Sequence, residues 1–294
     1  MLTSPRFQRP LVVVAVLLGC ASSPRAQPAA PTLSRDADVH CEPTGAPSSA
    51  FTALGLTFVG NARVPREHLE CVLGHALDGA APTDDVSRRE LIERAETLLH
   101  AAYYDLGFLE ARVAADPSRA TGHFTIEEGE RFRLGAVTVA EVDAQGRAVT
   151  ALGGDGAIRQ MVRAGEGDWF SRTTVARGLS AIQRHYRDAG YATVEVSQNV
   201  ALRRPARTAD LAVQIRRGPL VTVDRVELRG NTRTSRESLL AGFRPLAGEQ
   251  YNETALDTWR ERLRASGRVR RVDVSTEAVP DRPDRIVLNV EVQE

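Results

Sequence analysis

With 294 residues and a hydrophobic content of 42%, the chain is long enough for two or three domains with cores of their own. A formal net charge of +0 supplies no positive field for bulk nucleic-acid binding; every basic residue is Arg, with no Lys anywhere. Aromatic residues make up only 5%, which argues against a membrane β-barrel, since such barrels carry aromatic girdles at both interfaces.

The amino terminus reads as an export signal over residues 1–19. Arg6 and Arg9 precede an apolar run from Leu11 to Leu18 that is too short to span a bilayer as a mature helix. The run closes on Leu17-Leu18-Gly19-Cys20, which resembles the bacterial lipoprotein lipobox. That resemblance implies cleavage before a diacylated cysteine, with the thiol of Cys20 as the acylation nucleophile. An ordinary signal cut after Ala26 would place Pro24 near the cleavage site, a poor fit. Ala21 after the cysteine resembles lipoproteins forwarded to the outer membrane. The expected location is therefore the periplasm, with an outer-membrane anchor through the N-terminal lipid.

Residues 20–50 are rich in Ala, Pro and Ser without apolar period, and read as a flexible tether. Cys41 lies in it and Cys71 in the first folded segment. An oxidising periplasm permits a disulfide between them; a buried free Cys71 is the alternative.

The rest of the chain repeats itself. Leu106-Gly107-Phe108, Ala189-Gly190-Tyr191 and Ser266-Gly267-Arg268 each follow an amphipathic helical pattern and precede alternating residues. Spacings of about 80 residues between these glycines mean tandem small domains rather than a solenoid of short repeats. The expected domains are 51–130, 131–218 and 219–294. Val59-Gly60-Asn61 and Arg229-Gly230-Asn231 each end an apolar strand; Glu128-Gly129 and Arg217-Gly218 each close a unit.

The third unit is clearest. Val226 and Leu228 share one face of a first strand, and Thr234 with Glu237 is expected to form a capping box for a short helix carrying Leu239 and Leu240. Leu256, Trp259 and Leu263 form one helical stripe, which Gly267 ends. Val272 and Val274 alternate in one strand; Ile286, Leu288, Val290 and Val292 alternate in the next. In the middle unit Val175, Leu179, Ile182 and Tyr186 line a helix, and Leu211, Val213 and Ile215 line the last strand. Ser171 and Asn252 are expected N-caps. The fold class is α+β: three tandem two-layer β-α-α-β-β domains, each with a three-stranded sheet of one apolar face and two helices to cover it.

The order β-α-α-β-β, the Gly-Asn at strand ends and the Tyr-x-x-x-Gly-Tyr of Tyr186 to Tyr191 resemble POTRA (polypeptide-transport-associated) domains; Tyr104 to Phe108 is a looser match. The resemblance covers residues 51–294. Three tandem units are similar to the periplasmic arm of BamA/TamA-type outer-membrane protein assembly factors, whose arm leads into a β-barrel. The resemblance implies binding of unfolded outer-membrane protein clients and partner components of the assembly machinery. Exposed sheet edges would receive an extended client as an added strand. The candidate edge is the second strand of each unit, with Thr193, Glu195 and Ser197 in the middle unit and Arg271, Asp273 and Ser275 in the third. Two alternatives stay open: a structural adaptor docking on an envelope complex, and the detached arm of a split barrel protein.

No residue constellation suggests catalysis, and no cofactor is expected. His68, Cys71 and His75 share a helical face and have zinc-ligand chemistry, yet a fourth ligand is missing nearby, so no metal is assigned. Gly153-Gly154-Asp155-Gly156 lacks the Lys-Ser/Thr ending of a phosphate loop and reads as a turn. Asp84-Asp85 reads as a helix cap rather than a catalytic carboxylate pair. Arg203-Arg204, Arg216-Arg217 and Arg268, Arg270, Arg271 are local basic clusters: solvated strand faces, or contacts for acidic partners or lipid headgroups.

Overall fold

The computed structural model describes residues 48–77, 79–116 and 121–294, apart from the side chain of His75. The signal segment, Cys20, Cys41 and nearly all of the tether lie outside the described residues.

The first unit contains α1 (Ser49–Ala53), β1 (Thr57–Val59), α2 (Arg66–Ala76), α3 (Asp85–Asp105), β2 (Arg112–Ala115) and β3 (His123–Glu127). The middle unit contains β4 (Arg133–Val142), β5 (Ala148–Val149), α4 (Asp155–Met161), α5 (Arg172–Asp188), β6 (Glu195–Arg203) and β7 (Thr208–Arg216). The third contains β8 (Thr222–Arg229), α6 (Arg236–Leu239), α7 (Glu253–Ala265), β9 (Arg271–Val279) and β10 (Arg282–Gln293). The sheets run β1-β3-β2, β5-β4-β7-β6 and β8-β10-β9. In each, the last strand lies inside the sheet, parallel to the first strand and antiparallel to the strand just before it. The sequence explains that choice. The last strands carry the strictest apolar alternation, with Ala209, Leu211, Val213 and Ile215 buried in β7 and Ile286, Leu288, Val290 and Val292 buried in β10. A strand with a fully apolar face loses most by standing at an edge.

Three separate cores fill the space between sheets and helices. In the third, Trp259 stacks edge-on against Phe243 with centroids 4.7 Å apart, and its indole N–H donates to the Leu239 carbonyl at 3.2 Å. Gly60 and Gly230 have φ of +93° and +85°, and a Cβ at either would collide with the carbonyl of Ile126 or Val292 on the central strand. Only glycine ends the first strand this way. The following Asn61 and Asn231 donate to the carbonyls of Val64 and Thr234.

Several sequence expectations need correction. The middle sheet has four strands, because a hairpin folds β5 back onto Glu141 and Val142 of β4. The N-cap of α6 is Ser235, which accepts from the Ser238 amide, and Thr234 instead donates its own amide to Glu294. The aromatic equivalent to Tyr186 is Tyr103 and not Tyr104: Tyr103 is fully buried and its hydroxyl donates to Glu128, as Tyr186 donates to Glu141. Ser171, Asn252 and Asp84 do cap their helices, and Gly153-Gly154 forms the turn before α4.

Consecutive units meet through a repeated joint. Asp105, the last residue of α3, accepts from the Ser171 hydroxyl and the Thr173 amide, both at 2.7 Å, at the start of α5. Asp188, the last residue of α5, accepts from the Thr254 amide at 2.8 Å and the Thr254 hydroxyl at 2.7 Å at the start of α7. A carboxylate at a helix N-terminus satisfies free amides and complements the dipole. The glycine after each Asp is buried in the joint: Gly107 accepts from the Phe132 amide at 2.8 Å and Gly190 from the Val221 amide at 3.0 Å. The second joint adds the ion pairs Arg184–Asp257 and Arg187–Glu253, each 2.9 Å. In the first, Ala101 and Tyr104 hold the positions of those two arginines, and a cavity of about 460 Å³ remains, lined by His68, Ala101, Asp105, Trp169, Arg172 and Thr173.

Candidate peptide-binding edges

An edge strand presents a row of backbone N–H and C=O groups that can pair with another chain. The strands expected second in each unit, β2, β6 and β9, all stand at sheet edges, β6 being third in the middle unit because β5 precedes it. They differ in reach, since β2 has 4 residues and β6 and β9 have 9 each. Nine residues pair in register along β6–β7, from Glu195 opposite Arg216 to Arg203 opposite Thr208. Along β9–β10 the ladder runs from Arg271 opposite Gln293 to Ala278 opposite Ile286. Among the described residues each long edge strand is thus held on one side by a central strand and open on the other.

Side chains fix which face each strand shows. Val272 is fully buried and Val274 half-buried, while Arg271, Asp273 and Ser275 are exposed. In the middle unit Glu195 and Ser197 are exposed on β6, flanking the half-buried Val196. Thr193 is not on the strand: it sits in the turn before β6, with the buried Val194 between it and Glu195. The short Ala-Thr-Val run alternates in burial like a strand, but its backbone is still leaving the α5 C-terminus.

The edges are guarded by charge. Arg271 pairs with Asp273 at 2.6 Å, Glu195 with Arg216 at 3.6 Å, and Arg203 with Asp210 at 2.9 Å. The bond from Arg203, aided by the Ala136 amide, holds the Asp210 carboxyl below its usual range. Charged side chains on an open edge discourage aggregation with like edges while leaving the backbone available.

Other titratable groups of the units act on structure. Glu128 is buried and accepts from the amides of Arg63 and Val64 and from Tyr103. Glu294 does the equivalent work in the third unit, accepting from the amides of Thr232, Arg233 and Thr234; these bonds, Thr234 first, hold its carboxyl down at about 2. In the middle unit Glu141 serves from the first strand, taking bonds from Tyr186 and Arg217. Burial and the adjoining carboxylate push the hydroxyls of Tyr103 and Tyr186 well above the ordinary tyrosine range.

Among the described residues, which leave out the His75 side chain, no group of His, Cys, Asp and Glu could hold a metal ion. Cys71 is disulfide-bonded, so its sulfur is not a free thiolate ligand. His68 lines the joint cavity with Nδ1 buried and unpartnered, and burial lowers its pKa against the pull of Asp105. Among the described residues no helix is long and apolar enough to cross a membrane. The residues that sequence reasoning missed are Asp105 and Asp188. Their signal was present: each stands two positions before a unit's key glycine, where the third unit has Ala265.

The geometry has clear relatives. The family model for POTRA, surface antigen variable number repeat, matches residues 137–218 and 221–294, just over half of the chain. The outer membrane protein assembly factor BamA of Neisseria meningitidis is 25% identical over 194 residues, covering 65% of this chain and 24% of that protein. BamA of Nitratidesulfovibrio vulgaris is 24% identical over 217 residues, covering 71% of this chain and 26% of that protein. The chain therefore spans about a quarter of the length of these relatives. Among solved structures, POTRA domains 3–5 of Haemophilus influenzae BamA superpose with a TM-score of 0.62 at 17% identity, covering 82% of this chain and 95% of that one, a likeness of fold. With two repeats matched in sequence and a three-unit array matched in fold, the chain belongs to the POTRA family.

Proposed function

We propose that the protein is a non-enzymatic periplasmic scaffold that assists outer-membrane protein assembly, capturing extended segments of unfolded clients or partner components by β-augmentation. The observation that carries this reading is the pair of nine-residue edge strands, β6 and β9, each open along one side. A client adding a strand there gains main-chain hydrogen bonds of about 0.5–1.5 kcal/mol each net, with little demand on its sequence. The assembly role is supported by similarity to BamA. Lipid anchoring through Cys20 belongs to the same proposal, as does a Cys41–Cys71 disulfide, which leaves Cys20 for the lipid. Cys20→Ala is expected to release the protein from the membrane fraction; full retention of that variant in membranes would count against the anchor.

The test of augmentation uses proline, which removes a backbone donor. Ser275 and Thr276 are adjacent exposed residues of β9, so one amide faces β10 and the other the open edge. Ser275→Pro and Thr276→Pro are compared by thermal melting and by binding of a peptide copied from a membrane β-strand, with Asp273→Ala as side-chain control. The more stable proline variant is expected to lose binding by about tenfold or more, as two or three hydrogen bonds are forfeited. Parent-like binding by that variant would exclude augmentation at this edge.

A second reading, a structural adaptor, is favoured by the Asp-capped joints, which couple neighbouring units. It predicts a partner that still co-purifies when the β6 and β9 edges are blocked.

A further inference from the structure

The second joint shows what kind of surface fits against the end of a unit. Arg187, three residues before Gly190, pairs there with Glu253, and Arg184 pairs with Asp257. In the third unit Arg264 stands three residues before Gly267, the place Arg187 holds before Gly190. Among the described residues Arg264 has no carboxylate partner, and its guanidinium donates to the Val272 carbonyl at 3.3 Å. Gly107 and Gly190 are buried in their joints, whereas Gly267 and its neighbours Arg264, Ala265, Ser266 and Arg268 are all exposed.

The end of the third unit is also the most basic segment of the array. Residues 261–270 hold Arg262, Arg264, Arg268 and Arg270, all exposed, against a single carboxylate, Glu261. None of the four has an ion pair among the described residues; Arg268 is held by a 2.9 Å bond to the Ser238 hydroxyl, which brings it alongside α6. Most other arginines of this unit are spent on carboxylates, including Arg225, Arg229, Arg244 and Arg260.

We infer that the end face of the third unit, centred on Arg262, Arg264, Arg268 and Arg270, docks an acidic polypeptide surface. The occupant is argued from the second joint: the equivalent face of the middle unit is covered by a chain segment presenting Glu253 and Asp257 to arginines. The end face differs from the second joint at two places: Glu261 stands where Arg184 does, and the second difference sharpens the prediction. Ala265 replaces the Asp that caps the next helix in both joints, so this face cannot bind a helix N-terminus in that way and offers guanidinium groups instead. The occupant is therefore selected by its carboxylates.

This surface adjoins the start of β9, whose Val272 carbonyl takes the Arg264 bond, and the experiment distinguishes it from strand pairing farther along that edge. The mature chain is titrated with a short fluorescein-labelled peptide rich in Glu, followed by anisotropy, and in parallel with phosphatidylglycerol vesicles by co-sedimentation. The parent is expected to bind the peptide with an affinity that falls as salt rises. Arg264→Glu with Arg268→Glu is expected to weaken it by about tenfold or more, as reversal of close charge pairs does. Arg177→Glu, the same change on an exposed residue of α5, is expected to leave it unchanged, as is the stable β9 proline variant. Should the double variant melt early through loss of its two hydrogen bonds, Arg262→Glu with Arg270→Glu serves instead, since those side chains make none among the described residues. Parent-like peptide binding by a folded charge-reversed variant overturns the inference. So does binding of the vesicles, and not the peptide, through these arginines.

Discussion

Removing the carboxylate of Asp188 tests whether the units are coupled or merely adjacent. Its oxygens take the Thr254 amide at 2.8 Å and the Thr254 hydroxyl at 2.7 Å. A hydrogen bond to a charged group contributes about 1.5–3 kcal/mol when sheltered, and loss of a helix cap costs about 0.5–2 kcal/mol. Asp188 is half-exposed, so water replaces part of what is lost, and Asn252 still caps α7. Asp188→Ala should therefore destabilise the third unit by about 2 kcal/mol, near the middle of these ranges. Thr254→Val removes only the hydroxyl, and the double variant completes a cycle with an interaction energy of about 1 kcal/mol. The assay is urea unfolding followed by Trp259 fluorescence, in a Trp169→Phe background because the chain has 2 Trp. Additivity within about 0.5 kcal/mol would refute the reasoning, since independent sites add to that precision.

Trp259→Ala should cost about 3–5 kcal/mol, because it empties the largest fully buried side chain and orphans the Leu239 carbonyl; a near-neutral melt would show that the stripe does not face a packed core. The cores are separate, so calorimetry should show the third unit melting alone in that variant while the first two keep their transition. Glu294 titrates at about 2 in the folded chain, below its ordinary 4.5, so its contribution is fully present above the ordinary value and is lost as pH falls through the folded one. Glu294→Gln should accordingly flatten the fall in stability of the third unit between pH 4.5 and about 2, read by melting across that window. Gly230→Ala should destabilise by about 1–3 kcal/mol, through a left-handed φ and the clash with the Val292 carbonyl; an unchanged urea midpoint would contradict it.

Apolar alternation made the sheets legible: Ile286, Leu288, Val290 and Val292 announce a half-buried strand, and Leu256, Trp259 and Leu263 a helix lying on it. The open edges followed from the three-strand order that the POTRA resemblance implies. Local ambiguities were harder. Thr234 and Ser235 are adjacent hydroxyls, and only the backbone turn decides which one caps α6. Tyr103 and Tyr104 are adjacent aromatics, and the buried partner Glu128 selects the first. β5 has two residues, too few for any period to mark a fourth strand. The joints were least accessible, because Asp105 and Asp188 find their partners in the next unit, 66 residues on at Ser171 and Thr254. A long-range cap has no local pattern; its trace is the repeated Asp-x-Gly of the first two units.

The proposed pairing of an extended client with the open backbone of β6 or β9 is tested most directly at the amides themselves. Amide-resolved hydrogen exchange of the protein, with and without a saturating membrane-strand peptide, measures this at the groups concerned. New protection is expected at alternate amides of Glu195–Arg203 or Arg271–Val279, those facing away from β7 and β10, with the helices unchanged. Protection confined to the helical face, or to the cavity between α3 and α5, would contradict it.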